Sequence, residues 1–339
     1  MTGLPQTWAA RLAAYKRPDN QRAIFEIAVT IAPFMAMWLV MWALLQVSIW
    51  LVLLAAIPTA GLMLRLFMVQ HDCGHGAMFT WRHANDWVGR FIGVLTLTPY
   101  DYWRQAHALH HASSGNLDRR GIGDIDTLTV IEYLALGYWG RLRYRLYRHP
   151  IVMFVIGPAY LFILQHRLPV GAMTRGQMPW WSVFSTNFGI AAVSALLIWL
   201  VGLQAFLVIQ LPIVVIGASL GVWLFYVQHQ FDNTYWERNP NWRHEPAALH
   251  GSSYYDLPKP LMWITGNIGI HHLHHLSSRI PFHRLPQILR DHPELKDVGR
   301  LTLWQSLKCV RLTLWDEDTK RLISFGELQR NMTSLPSSN

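Results

Sequence analysis

Two long stretches of this chain contain no charged side chain. Residues 27–64 and 180–228 lack Asp, Glu, Lys and Arg, and both are dominated by aliphatic and aromatic residues. A helix needs about 20 apolar residues to cross a bilayer. Each stretch is therefore long enough for two crossings, and we predict transmembrane helical hairpins over residues 27–69 and 180–227.

A third apolar segment, residues 151–165, is shorter. At about 1.5 Å per residue, a helix of this length reaches about 22 Å, which is less than the ~30 Å thickness of the hydrocarbon core. We therefore predict an interfacial helix here. The polar regions over residues 70–150 and 228–339 then lie on the same side of the membrane as the N-terminus.

The composition agrees with a membrane protein. Of the 339 residues, 52% are hydrophobic and 14% are charged, whereas a soluble domain carries about 25% charged residues. We predict an all-α, polytopic membrane protein with four spans and a helical cytoplasmic cap, forming one domain over residues 1–339. The net charge of +9 fits basic cytoplasmic loops and anionic lipid better than nucleic acid, because no nucleic-acid-binding motif accompanies it.

Two further observations concern the compartment. The first 22 residues are basic and have no apolar core, so we expect no cleavable signal peptide. The two cysteines, Cys73 and Cys309, indicate no disulfide framework and fit a reducing cytoplasm. We expect Arg65, near the end of the second span, to extend its side chain to lipid headgroups.

Three histidine clusters stand next to the predicted spans. Their sequences are HDCGH from His71, HALHH from His107 and HHLHH from His271. On a helix, residues at i, i+3 and i+4 share one face, so each cluster can direct two or three imidazoles at one point. Together the clusters supply eight nitrogen ligands, which is too many for one metal ion and suits two.

The arrangement of the spans decides whether the three clusters can meet. The first two clusters follow an even number of crossings, and the third follows the second hairpin. If residues 151–165 crossed the membrane, the third cluster would lie on the opposite face. A single site therefore requires that this segment does not cross.

The donor type narrows the chemistry. Neutral imidazole suits zinc, copper, iron and nickel. A structural zinc site normally closes at four ligands, and the HExxH motif of zinc proteases is absent from the sequence. The carboxylate-rich motif of soluble di-metal helical bundles is absent as well. Two ions in a histidine-rich shell, with positions left for water or oxygen, fit the count.

The histidine clusters and the predicted hairpins together resemble a known family. The clusters HDCGH, HALHH and HHLHH beside two predicted hairpins resemble the membrane fatty acid desaturases, and the first cluster and residues 266–270 are most similar to the acyl-lipid Δ12/ω-6 branch. The resemblance covers about residues 25 to 310. It implies two iron ions, molecular oxygen as co-substrate and a long acyl chain as substrate. The iron ligands that it implies are His71, His75, His107, His110, His111, His271, His274 and His275.

The family usually has a further histidine just after the last span, and here His229 occupies that position. The resemblance implies that it is a ninth ligand. Some desaturases have an asparagine four residues earlier that holds a metal-bound water, whereas this sequence has Phe225. Asn267, four residues before His271, is a candidate substitute, and Asp72 is a candidate to orient a ligand imidazole.

The remaining polar residues divide into candidates to orient a ligand and histidines outside the ligand spacing. Asp101, Asp124 and Asp126 are further candidates to orient a ligand, and His272 lies off the ligand face of its cluster. No residue beyond the metal ligands is assigned a catalytic role. The histidines that lack a partner at ligand spacing are expected to be polar or interfacial residues: His83, His149, His166, His244, His250, His283 and His292.

The electron donor must come from a partner, because the HPGG string of a fused cytochrome b5 domain is absent. A ferredoxin-like acidic protein that docks on a basic cytoplasmic face is the expected donor, and the expected location is the bacterial inner membrane with the active site facing the cytoplasm. A hydroxylase of the same architecture is the main alternative. A metal transporter or sensor is a distant one, since transport predicts ionisable residues near the bilayer midplane.

Overall fold

The computed structural model describes residues 7–170 and 175–334. Helices dominate it, and two short pairs of strands occur in the described part of the chain. The α-helices are α1 (Trp8–Arg11), α2 (Asn20–Leu44), α3 (Ile49–Gly74), α4 (Arg82–Leu95), α5 (Tyr100–Ser113), α6 (Val130–Ala135), α7 (Tyr138–Tyr147), α8 (Gly157–Ile163), α9 (Met178–Val201), α10 (Leu203–His229), α11 (His244–His250), α12 (Lys259–Ile264), α13 (His271–Leu276), α14 (Leu285–Asp291), α15 (Leu303–Cys309) and α16 (Phe325–Ser334). The strands are β1 (Tyr254–Asp256), β2 (Arg300–Thr302), β3 (Leu314–Asp316) and β4 (Arg321–Ile323).

Four of the described helices are long and apolar enough to cross a membrane: α2, α3, α9 and α10. They form two hairpins with tight connections. Ser48 caps the start of α3 by accepting a hydrogen bond from Trp50 N (3.2 Å). Gly202, at φ +87°, joins α9 to α10 in a backbone conformation that favours glycine. The predicted all-α membrane fold is therefore confirmed, with helices that extend several residues beyond the apolar stretches.

Helix α3 is the central element, because it packs against α2 on one side and α10 on the other. A Cβ on Gly217 of α10 would lie in ordinary contact with Met63 Sδ of α3 (3.4 Å). The tighter approach is between α3 and α12, where a Cβ on Gly61 would lie 3.1 Å from Ile264 Cγ2. The end of α3 carries the first histidine cluster, so this packing sets the position of that cluster relative to α10.

A buried ion pair joins the first two long helices. Arg65 is 1% exposed and pairs with Glu26 of α2, which is 2% exposed. Its guanidinium also donates to Thr30 Oγ1 (3.1 Å) and to the carbonyl of Trp263, and it lies 4.0 Å from the centre of the Trp263 ring. The expectation that Arg65 extends to lipid headgroups is wrong, since a charge so placed needs a partner and finds one inside the protein.

The third apolar segment consists of a π-helical turn (Val152–Ile156), α8 and a short 3-10 helix (Gln165–Arg167). It meets α7 at an angle of 59°, and the bent pair is either a broken span or a re-entrant loop. Phe154 of this segment packs on Trp223 and Tyr226 near the end of α10. The interfacial position of residues 151–165 stays a prediction.

The polar regions after the two hairpins are joined through a buried arginine. Arg148 is 4% exposed and donates to Tyr226 Oη (3.1 Å), Gln230 Oε1 (3.1 Å) and the carbonyl of Leu312 (2.6 Å). Strand β1 pairs in parallel with β2, and β3 pairs antiparallel with β4. The end of α10 is thus fixed to both the middle and the C-terminal part of the chain.

Cysteine labelling tests the arrangement of the spans. The histidine-bearing faces of α5 and α13 lie together, so the chain between them should cross the membrane an even number of times, and α9 and α10 already supply two crossings. We expect Arg119→Cys, Arg175→Cys and Arg279→Cys to react with a membrane-impermeant maleimide from the cytoplasmic side only. Val47→Cys, in the exposed turn between α2 and α3, should react from the opposite side. Background is expected to be low because Cys73 and Cys309 are buried, and reaction of Arg175→Cys together with Val47→Cys would show a fifth crossing.

Candidate metal centre

Four helix regions supply the histidines of the site. The end of α3 and the residue after it supply the first cluster, α5 the second and α13 the third, and the last residue of α10 is His229. In the described part of the chain, nine histidines form two adjoining groups whose ligand atoms within each group lie within 4.8 Å of one another. Group one is His71, His75, His107, His111 and His274, and group two is His110, His229, His271 and His275.

Local structure explains how short sequences reach both groups. Helix α5 has His107 and His111 one turn apart, and both belong to group one, while His110 of the same helix belongs to group two. Helix α13 starts at His271, where the backbone N–H groups of His271 and His272 both donate to Ser253 O (3.1 and 3.2 Å). In α13, His274 belongs to group one, and His271 and His275 belong to group two. Both helices therefore supply histidines to both groups.

The facing nitrogen atoms are close together in each group. In group one, Nε2 of His107 lies 3.0 Å from Nε2 of His75 and 3.1 Å from Nε2 of His111, which in turn lies 3.0 Å from Nε2 of His274. In group two, Nε2 of His229 lies 3.2 Å from Nε2 of His110 and 3.0 Å from Nε2 of His271.

These distances fit a metal site better than a hydrogen-bonded network. One ring nitrogen is either a donor or an acceptor, so the Nε2 atoms of His107 and His111 cannot each make good hydrogen bonds to two other nitrogens. With a metal–nitrogen distance of about 2.1 Å, adjacent ligand atoms of an octahedral ion lie about 3.0 Å apart. The Nε2 atom of His275 is buried and has no hydrogen-bond partner within residues 7–170 and 175–334, so it is available to bind a metal.

Burial favours the neutral form of five of these imidazoles. It lowers the pKa of His271, His274 and His275 well below the usual value of 6.5, and neighbouring histidines lower each of them further. The pKa of His107 and His111 is lowered by the same causes. Since a neutral imidazole is the form that binds metal, the site is prepared for cations at neutral pH.

Two aspartates contact site histidines. Asp72 Oδ1 lies 3.1 Å from Nδ1 of His71, and Asp124 Oδ1 is hydrogen-bonded to Nδ1 of His110. Asp101 instead pairs with Arg90 and Arg104. The structure therefore supports a ligand-orienting contact for Asp72 and Asp124, and it places Asp101 in a separate ion-pair cluster.

Asn267, the candidate substitute for the missing asparagine, contacts the segment after α13. Asn267, at φ +54°, donates to the carbonyl of Phe282 (3.4 Å), and no hydrogen bond to a site histidine is found for it among the described residues. Phe225 itself packs beside group two, with ring centroids 5.1 Å from His110 and 5.0 Å from His229. An aromatic side chain, and not an amide, thus lies beside group two at position 225.

The remaining histidines lie outside both groups. His272 is fully buried, and its Nε2 lies 3.1 Å from the carbonyl oxygen of Leu295. His292 contacts the N-terminal segment through Arg11 (3.0 Å). His83 is exposed at the start of α4. The division between site and non-site histidines follows the helical spacing of the clusters.

Sequence reasoning missed Trp103. Its ring stacks on His107 with a centroid distance of 4.7 Å and an interplanar angle of 15°, and it also packs on Phe67 of α3. The signal was present, because Trp103 lies four residues before His107 and shares its helix face. The indole thus covers one face of the His107 ring in group one.

Fold and site together define an α-helical membrane protein with a nine-histidine site suited to metal ions. Comparison with known proteins agrees. The family model described as fatty acid desaturase matches residues 48–306, and the chain belongs to that family. It is 42% identical to a fatty acid desaturase of Bacillus subtilis over 96% of this chain and 92% of the relative.

More distant relatives carry more detailed names. The chain is 30% identical to an sn-1 acyl-lipid omega-3 desaturase (ferredoxin) of Synechocystis over 65% of this chain and 61% of the relative. It is 23% identical to an sn-1 oleoyl-lipid 12-desaturase of Anabaena variabilis over 72% of this chain and 69% of the relative. The protein is an enzyme, a fatty acid desaturase, and it is a membrane protein.

Substitution of single histidines tests the two groups. His111→Ala in group one and His275→Ala in group two each remove one imidazole, so each variant should lose at least one bound metal ion per chain. His83→Ala is the matched control, because His83 is exposed and lies in neither group. Metal content of purified protein, measured by inductively coupled plasma mass spectrometry, checks this. Equal metal content in all three variants would contradict the grouping.

Acid should destabilise the metal-free protein. The pKa of His271, His274 and His275 is lowered in the folded state, so below about pH 6.5 the unfolded chain binds protons that the folded chain does not. Stability is then fully present above pH 6.5 and falls as pH decreases, by about 1.4 kcal/mol per pH unit for each such histidine. Thermal unfolding between pH 8 and pH 5 measures this, and a flat profile would contradict it.

Proposed function

We propose that this enzyme is an oxygen-dependent acyl-lipid desaturase that uses two iron ions. The ligands would be five imidazoles for one ion and four for the other: His71, His75, His107, His111 and His274 in group one, and His110, His229, His271 and His275 in group two. The observation that carries the proposal is the pair of adjoining all-imidazole groups, one partly and one fully buried, next to the ends of the long apolar helices.

Iron fits the reaction better than zinc. Desaturation removes two hydrogen atoms from an unactivated acyl chain and requires a redox-active centre, whereas zinc has no redox chemistry. Imidazole is a suitable ligand for iron. When bound, two irons with molecular oxygen supply the oxidising power for this reaction. Overall, one oxygen molecule, two electrons, two protons and the CH2–CH2 unit give a CH=CH unit and two water molecules.

The protein's own residues provide binding, orientation and exclusion of water. Burial lowers the pKa of His271 and His275 and so favours their neutral, metal-binding form. Trp103 stacks on His107, and Phe225 packs beside His110, so each group has an aromatic neighbour. Limited access of water protects the oxidising equivalents from side reactions.

The names of the relatives support an acyl-lipid substrate and a ferredoxin-like donor for this enzyme. A net charge of +9 is suited to an acidic redox partner. We assign Δ12/ω-6-like regiospecificity from the resemblance of the first histidine cluster. The site would face the cytoplasm of a bacterial inner membrane, where the free cysteines Cys73 and Cys309 remain reduced.

Expression in a bacterial host that makes monounsaturated lipids tests the proposal. With a ferredoxin and its reductase supplied, total fatty acids should contain a new diunsaturated species, whose double-bond position is read by gas chromatography–mass spectrometry after derivatisation. Purified protein should carry about two irons per chain, one for each histidine group. His107→Ala, inserted normally in the membrane, should give no detectable product.

Three results would overturn parts of the proposal. A hydroxylated acyl chain in place of the alkene would assign a hydroxylase of the same architecture. A new double bond at another position would refute the Δ12/ω-6 assignment alone. Protein that carries one zinc ion and no iron, after expression with iron present, would refute the di-iron centre.

A further inference from the structure

Each histidine group contains one member whose outer nitrogen meets a carboxylate. In group one this is His71, whose Nδ1 lies 3.1 Å from Asp72 Oδ1. In group two it is His110, whose Nδ1 is hydrogen-bonded to Asp124 Oδ1. The Asp72 side chain is 1% exposed and the Asp124 side chain 11% exposed. The two groups therefore share one design, although the two aspartates come from unrelated parts of the sequence.

Asp72 is held by a second contact. Its Oδ2 accepts a hydrogen bond from the backbone N–H of Phe282 (2.6 Å), in the segment that follows α13. The carboxylate consequently joins two segments. One is the end of α3, which carries the first histidine cluster, and the other follows α13, which carries the third histidine cluster. Its orientation is fixed from both sides, and the His71 ring is fixed with it.

Asp124 reaches His110 from a loop after α5 that needs glycine. Gly123 has φ +70°, and a Cβ at this position would lie 3.3 Å from the carbonyl oxygen of Ala106 and 3.5 Å from His110 Cβ. Glycine at this position therefore allows the loop to lie close to α5. This approach brings the carboxylate of Asp124 to the outer nitrogen of His110.

No carboxylate contact is found for the other histidines of the site among the described residues. There, the Nδ1 atoms of His111, His271 and His274 are buried without a hydrogen bond, and Nδ1 of His229 lies 3.3 Å from the carbonyl oxygen of Gly251. Within residues 7–170 and 175–334, Asp72 and Asp124 are the acidic residues whose carboxylates contact histidines of the site. Each group thus has one carboxylate in contact with one of its imidazoles.

We propose that Asp72 and Asp124 are positioning residues, one for each metal ion. Each carboxylate accepts the Nδ1 proton of its histidine, which leaves Nε2 as the ligand atom and fixes the ring plane. This inference rests on the proposed di-iron function and assigns each of the two carboxylates to a different iron.

The physical consequences are specific. Carboxylates that hold a ligand histidine raise its basicity, and their loss typically lowers metal affinity about 10–100-fold. Replacement by an amide should therefore perturb the ion on that side and leave the ion of the other group little changed.

The experiment compares Asp72→Asn and Asp124→Asn with Asp126→Asn in the full-length protein in detergent. Asp126 is the matched control, because it lies two residues from Asp124 and no contact between its carboxylate and a histidine is found in the described part of the chain. Iron affinity is measured by chelator competition, and Mössbauer spectra of 57Fe-loaded protein resolve the two ions. Each of the first two variants should perturb a different one of the two iron signals and lose about 10–100-fold in affinity at that site. Asp126→Asn should match the wild type.

The failure of this inference is distinguishable from that of the proposed function. Wild-type protein without iron would refute the di-iron proposal itself. Two irons in the wild type, with unchanged affinity and spectra in both Asn variants, would refute the positioning role alone, as would the same signal changing in both. Where an Asn variant does not fold, Asp72→Glu or Asp124→Glu keeps the charge but displaces it. A shift of the corresponding iron signal then supports the role, and an unchanged signal overturns it.

Discussion

The structure depends on the convergence of nine imidazoles at one place, six of them buried. No single segment of the chain can supply them, so the ends of α3 and α10 and the faces of α5 and α13 must converge. Desolvation of so many polar rings is costly without partners, and their mutual Nε2 distances of about 3 Å leave metal coordination as the way to satisfy them. The packing of α3 between α2 and α10, the Arg148 contacts and the short strands all maintain this convergence.

Much of this arrangement follows from the sequence. Charge-free stretches of sufficient length predict the hairpins, and helical spacing predicts which face of α5 carries His107 and His111. The same spacing separates His272 from its neighbours, and the structure places it against Leu295 O instead. These features are local, so periodicity and length are enough to predict them.

Other features depend on contacts between distant segments and could not be predicted. The pair of Glu26 and Arg65 forms across two helices at the ends of a charge-free stretch, where exposure to headgroups was the simpler expectation. Asp124 reaches His110 only because Gly123 adopts a positive φ next to α5. The contact of Asn267 with the carbonyl of Phe282 follows from the loop before α13 and from no sequence spacing.

The central claim is that two irons occupy the two histidine groups. Diffraction data collected on either side of the iron absorption edge, from crystals of the purified full-length protein, locate iron directly. The account predicts two anomalous peaks, one among His71, His75, His107, His111 and His274 and the other among His110, His229, His271 and His275. A single peak, or peaks that lie outside these groups, would contradict it.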